Sequence, residues 1–189
     1  AEAASTARRI EQRSWRLYSH RDSIIIQKQF GDPISVMMAR YFVLFRLAAT
    51  AVAVSERVEL HVHLDGSITP PTLLEVARRR ALVLPALGRV PRTVADVWAA
   101  LDAAPTPWAR FDLVCDILGG DAAALSLAAE RFVARQAAQR VAYTEVRYDP
   151  IRFAVSHYAN TSIGADAAVA AVTAGLARGV ARANADGAE

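Results

Sequence analysis

From Val58 to Asp65 the chain alternates apolar and polar residues without a break. A period of two predicts a β-strand with one face packed on apolar partners. Val58, Leu60, Val62 and Leu64 fall on that face, and Glu59, His61, His63 and Asp65 on the other. Residues two apart on a strand are separated by roughly 6.6 Å. Imidazoles reach well beyond their backbone, so two at this spacing can converge on one ion at about 2.0–2.1 Å. The plainer alternative is a half-exposed strand with two surface histidines. The apolar flanks, the Asp65-Gly66 turn and the helix start that follows weigh against it.

Downstream the period changes to that of helices. Thr69 followed by Pro70 marks a helix start, and Thr72-x-x-Glu75 offers a second cap. Leu73, Val76 and Ala77 form its predicted buried stripe, with Arg78-Arg79-Arg80 as a solvated C-terminal end. Residues 81–92 contain two prolines and read as a loop. Thr93 caps a short helix over Val94–Leu101, and another runs from Thr106-Pro107 to Gly119-Gly120. On that second helix Trp108, Phe111 and Cys115 share a face, consistent with plain core packing. Asp121 opens a long helix with Leu125, Ala129, Phe132 and Gln136 on one side.

A second strand is predicted over Val141–Tyr148, with Tyr143, Glu145 and Arg147 opposite Ala142, Thr144 and Val146. A charged pair pointing inward must be paired or hydrogen-bonded, so Glu145 and Arg147 are structural partners or part of a pocket wall. Residues 149–163 read as a loop with His157 as a loop histidine, and Ala165–Asn184 as a closing helix. Strand, helix, strand, helix in this order predicts an α/β fold with parallel strands and right-handed crossovers.

The first 56 residues read differently. Residues 1–36 show no sustained period and hold the chain's one lysine, Lys28. They are expected to be a disordered or spurious extension, with a functional basic arm as the alternative. Tyr41–Val54 is apolar except for Arg46 and Thr50. That run is shorter than the ~20 residues of a membrane span, and Arg46 argues against a signal peptide starting at Met37. A short helix packing against the bottom of the fold, or sequence without structural meaning, is expected there. No membrane partner follows, and a cytoplasmic location is expected.

Composition changes this picture in two places. The net charge of +3 suggests a nucleic-acid partner until the chain is divided. Residues 1–57 carry nine basic and five acidic side chains, while residues 58–189 carry thirteen and fourteen. The basicity belongs to the extension, so no nucleic-acid partner is expected. The single cysteine, Cys115, excludes an internal disulfide and a paired-cysteine zinc site.

His61-Val62-His63-Leu64-Asp65-Gly66-Ser67 is similar to the first-strand signature of the adenosine deaminase family of metal-dependent hydrolases. Ala142-Tyr143-Thr144-Glu145-Val146-Arg147-Tyr148-Asp149-Pro150 resembles the second-strand motif of the same family. The resemblance runs from about Arg57 onward and implies a (β/α)8 barrel of the triosephosphate isomerase (TIM) type. Such a barrel takes ~250 residues, so residues 57–189 would be an incomplete barrel domain, its first two β/α units plus lid helices. The chain reads as a fragment, the front half of an enzyme or a faulty gene model.

By the same resemblance the cofactor is Zn2+, held by His61, His63, a later His and a later Asp. Asp65 would meet the ribose end of a purine nucleoside, with Gly66 beside it, and Trp108 and Phe111 would lie over the purine. The later ligands, a general-acid Glu and a second catalytic His belong to strands beyond Glu189, so no catalytic residue is assigned within the chain. The implied reaction of the parent is hydrolysis of adenosine to inosine and ammonia. Asp65 favours a nucleoside substrate over adenine. Adenine or AMP deamination, and a non-catalytic or truncated product on the same scaffold, remain the alternatives. The 189-residue chain alone is expected to be inactive and unstable, with a parallel edge exposed.

Overall fold

The computed structural model describes residues 14–20, 23–29 and 57–186. In chain order these form β1 (Ser14–His20), β2 (Ser23–Gln29), β3 (Arg57–His63), α1 (Leu64–Ser67), α2 (Pro70–Arg79), α3 (Val94–Asp102) and α4 (Pro107–Leu118). There follow α5 (Ala122–Ala138), β4 (Val141–Arg147), α6 (Pro150–Phe153), β5 (Val155–Ser156), β6 (Thr161–Ser162) and α7 (Ala165–Asp186). Tyr41–Val54, expected as a packed helix, lies outside the described residues.

The helix starts follow their cap chemistry. Thr93 and Asp96 form a reciprocal capping box at α3. Thr106 accepts from the Ala109 amide at α4, and Asp121 from the Ala123 and Ala124 amides at α5. Thr69 precedes Pro70 as expected but makes no side-chain cap; its hydroxyl lies 3.1 Å from that of Thr72.

The predicted stripes are buried. Leu73, Val76 and Ala77 of α2 and Leu125, Ala129, Phe132 and Gln136 of α5 all lie in the interior. Against α5 packs α7, whose Gly175 and Gly179 permit close approach. A Cβ on Gly175 would stand 2.2 Å from the Ser126 carbonyl oxygen, and one on Gly179 2.6 Å from Val133 Cβ. Glu130 of α5 closes this contact by pairing with both Arg178 and Arg182 of α7.

Arg80 departs from expectation. Arg78 and Arg79 are solvated, but the Arg80 side chain is only 9% exposed. Its guanidinium donates to the Ile117 carbonyl at 2.6 Å and to Thr161 Oγ1 at 3.1 Å, and lies 3.4 Å from Asp121. One side chain thereby joins the ends of α2 and α4, the start of α5 and β6.

β3 and β4 are parallel, as the element order predicts, and β4 is the inner of the two, with Ala142, Thr144 and Val146 buried. Two features differ from the sequence reading. β3 ends at His63, where the chain turns directly into α1, so Leu64 and Asp65 are helical. The apolar face of β3 is covered only toward its end: Leu64 is buried, but Val58 and Leu60 are 60% and 61% exposed. Among the described residues β4 is the one strand neighbour of β3.

A further difference lies in the extension. Residues 14–29, expected to lack regular structure, contain β1 and β2, an antiparallel pair that adds to the far edge of β4. The sheet order is β1-β2-β4-β3. The loop expected over 149–163 also contains structure, a single turn of helix capped by Asp149 and the small β5-β6 pair.

Candidate functional site

The C-terminal end of β3 carries His61 and His63, one strand period apart. Their rings lie with centroids 5.1 Å apart and tilted by 31°, bringing the two Nε2 atoms to 3.1 Å. At that separation the two nitrogens share a hydrogen bond, and imidazole nitrogens so close together are the kind of pair that would hold one zinc ion in its place. The pair therefore fits a shared metal ion. Among the described residues no group of three His, Cys, Asp or Glu side chains is placed to hold one.

Because β3 gives way to α1 immediately after His63, Asp65 is carried back beside that ring. Its Oδ1 accepts from the Gly66 amide at 2.8 Å and lies 3.7 Å from His63 Nδ1. The carboxylate stands where it can face either the imidazole or a bound ligand. Gly66 sits under Phe111, and a Cβ there would be 2.8 Å from Phe111 Cε1.

Trp108 and Phe111 are three residues apart on α4, and their rings pair at 6.0 Å with a 38° tilt. Trp108 is 76% exposed, so core packing does not account for it. His63, Asp65, Trp108 and Phe111 border one cavity of about 580 Å³, together with Cys115 from the same helical stripe. His61 and Gly66 border an adjoining cavity of about 620 Å³, and His63 and Phe111 line both. Burial, reinforced by Asp65, Asp116 and Asp149, pushes the Cys115 thiol up to about 12, so it stays protonated and is no nucleophile.

The half-buried positions of β4 form a polar ladder. Tyr143 donates from its hydroxyl to Glu145 at 2.9 Å, and Arg147 lies 3.7 Å from the same carboxylate. The hydrogen bond to Glu145 raises the Tyr143 phenol above its ordinary value. Arg147 stands opposite His63 in the strand register and lines the smaller cavity. Glu145 and Arg147 are thus partners, and of the two it is Arg147 that borders the cavity.

Two wall residues escaped the sequence reading. Asp112 of α4 and Arg152 of α6 form an ion pair beside that cavity. Asp112 was detectable, since it lies one turn after Trp108 on the same helix. Arg152 was not, because it sits in the segment read as loop. His157 does not join the site. Asp116 Oδ1 accepts from its amide at 2.6 Å and lies 2.9 Å from its Nδ1, holding the ring 78% exposed.

A sequence model of the adenosine deaminase family matches residues 56–187. The chain is 35% identical over 109 residues to the adenosine deaminase of Mus musculus, covering 55% of this chain and 30% of that relative. It is 36% identical over 107 residues to the Bos taurus adenosine deaminase, covering 55% and 29%. To the adenosine deaminase of Enterococcus faecalis (strain ATCC 700802 / V583) it is 34% identical over 130 residues, covering 65% and 35%. The chain spans about a third of the length of these relatives. With two thirds of its residues under the family model, and its paired histidines at the end of the first parallel strand, this chain belongs to the adenosine deaminase family.

Proposed function

We propose that this chain supplies the metal-binding strand and the nucleoside-facing wall of a (β/α)8-barrel hydrolase that deaminates adenosine to inosine and ammonia. The observation that carries the reading is the 3.1 Å approach of the two Nε2 atoms, at the end of a strand that opens on a cavity. Barrel enzymes place their sites at this end of their strands.

His61 and His63 would hold Zn2+ through Nε2. Bound there, zinc supplies a hydrolytic nucleophile at neutral pH by acidifying a water molecule. The chain's own residues do the positioning. Asp65 accepts a hydrogen bond from a ribose hydroxyl. Trp108 and Phe111 cover the purine and keep bulk water from it. Glu145 holds Arg147 and Tyr143 in place along the cavity side of β4. A catalytic zinc site takes three protein ligands, so two histidines form part of a set, and the 189 residues alone are expected to be inactive.

The charge of the smaller cavity favours a neutral nucleoside over its monophosphate. Three carboxylates, Asp65, Asp112 and Asp149, line it against two guanidinium groups, Arg147 and Arg152. Each guanidinium is already paired, with Glu145 and Asp112 respectively. Ammonia release by a full-length protein containing this sequence tests the reading. Adenosine should be turned over in preference to AMP, and Asp65→Ala should lower kcat/KM by roughly 10–100-fold, the worth of one charged hydrogen bond. Release from AMP but not adenosine would overturn the substrate assignment.

A further inference from the structure

We infer that Arg135 is a positioning residue for the nucleoside site, holding the Asp65-Gly66-Ser67 turn against α5 and so setting where the Asp65 carboxylate stands. The inference rests on the proposed role of Asp65 toward the ribose. Arg135 lies on α5 beside the buried Phe132 and Gln136, and its Nη1 donates to the Ser67 carbonyl at 2.5 Å. Ser67 ends α1, the single turn that follows His63. The last carbonyls of a helix lack partners within it, and an arginine donating to one fixes that end. Local contacts do little of this work. His63 gives α1 no side-chain cap at its start, and Gly66 within the turn has no side chain to pack.

The guanidinium is itself held from two sides. Its carbon lies 5.6 Å from the centre of the buried Phe132 ring, within cation–π range. Burial disfavours its charge, and Glu59 opposes that effect. Glu59 is in turn fixed by Gln136, whose Nε2 donates to it at 2.7 Å. Two successive residues of α5 thereby grip the histidine strand on both sides, Gln136 at Glu59 before His61 and Arg135 at Ser67 after His63. Asp65 shares the single turn of α1 with Ser67, and its Oδ1 accepts from the Gly66 amide between them. A shift of the Ser67 carbonyl therefore carries the carboxylate with it. A displacement of about 1 Å is enough to spoil a positioned contact. Arg135 acts through the turn, without touching metal or nucleoside.

The test compares adenosine with its 2′-, 3′- and 5′-deoxy analogues in a full-length protein containing this sequence. The hydroxyl that meets Asp65 is the one whose removal lowers kcat/KM in the unsubstituted protein but not in Asp65→Ala. Arg135→Met keeps the length of the side chain and removes its donors. It should raise KM for adenosine by roughly tenfold with kcat little changed, shrink the penalty for losing that hydroxyl, and leave the zinc content intact. Gln136→Met disturbs the same helix at a buried position but not the Asp65 turn, and should keep the penalty. If Arg135→Met does not fold, Arg135→Lys should show the same loss of discrimination, since lysine keeps the charge without the planar fork or the ring stacking. A full penalty in the folded Arg135 variant, or an equal loss in Gln136→Met, overturns the inference while leaving the proposed function standing. An unsubstituted protein that releases no ammonia from adenosine, or whose discrimination survives Asp65→Ala, overturns that function or the role of Asp65, and the inference with it.

Discussion

Gly66 and Phe111 are fitted to each other: a Cβ on Gly66 would stand 2.8 Å from Phe111 Cε1. The turn that follows the histidine strand thus sets how far the aromatic wall of α4 can close over the cavity. Gly66→Ala should push the ring outward at a cost of about 1 kcal/mol, the low end for overpacking. Phe111→Leu should relieve the clash, so the double variant should be less destabilised than the two single variants added together. Chemical denaturation of the four proteins measures this, and strict additivity would show that the two residues do not meet.

Arg80 should behave unlike its neighbours. Arg80→Ala leaves the Ile117 carbonyl and Asp121 without their guanidinium partner, and should cost about 2–3 kcal/mol. Arg79→Ala removes only a surface contact with Glu75 one turn away, and should stay within about 0.5 kcal/mol. Equal denaturation midpoints for the two variants would contradict the buried role of Arg80.

Asp96 links the start of α3 to pH. Hydrogen bonding from Arg89, then from the Arg92 and Thr93 amides, holds its carboxyl well below the usual carboxylate range. A carboxyl depressed in the folded state contributes stability above its unfolded pKa of about 3.9, and that contribution is lost as pH falls toward the folded value. Asp96→Asn should therefore be less stable than the parent at neutral pH, with the gap narrowing below about pH 4. A gap independent of pH would contradict the capping role.

Cys115 should be inert. With its thiol pushed up to about 12 by burial and nearby carboxylates, it holds its proton through neutral and mildly alkaline pH. A disulfide reagent should react slowly with the folded chain and rapidly once denaturant is added. The raised value also means that stability falls as pH rises above about 8.5, where the unfolded thiol ionises and the folded one does not. Rapid labelling of the folded chain would place Cys115 at the surface.

Much of this molecule was legible in its sequence because the signals were local. Thr93, Thr106 and Asp121 start helices where their side chains reach free amides, and the apolar stripes of α2 and α5 are buried as their period requires. The paired histidines were legible because strand period alone puts them on one face. What was missed depends on contacts distant in sequence. Val58 and Leu60 obey the strand period yet remain exposed, since period says which residues share a face and not what covers it. Arg80 looks like its two solvated neighbours until Ile117, Asp121 and Thr161 are brought around it. β2 carries three consecutive isoleucines, a run without alternation, and its strand is defined by pairing with β1 and β4.

His61 and His63 are expected to share one zinc ion. Zinc binding by a full-length protein containing this sequence, measured by competition with a chromophoric chelator, decides it. One zinc per chain is expected, with His61→Ala and His63→Ala each abolishing or sharply weakening binding and His157→Ala leaving it unchanged. Zinc bound equally well by His61→Ala and His63→Ala, or lost only in His157→Ala, would contradict it.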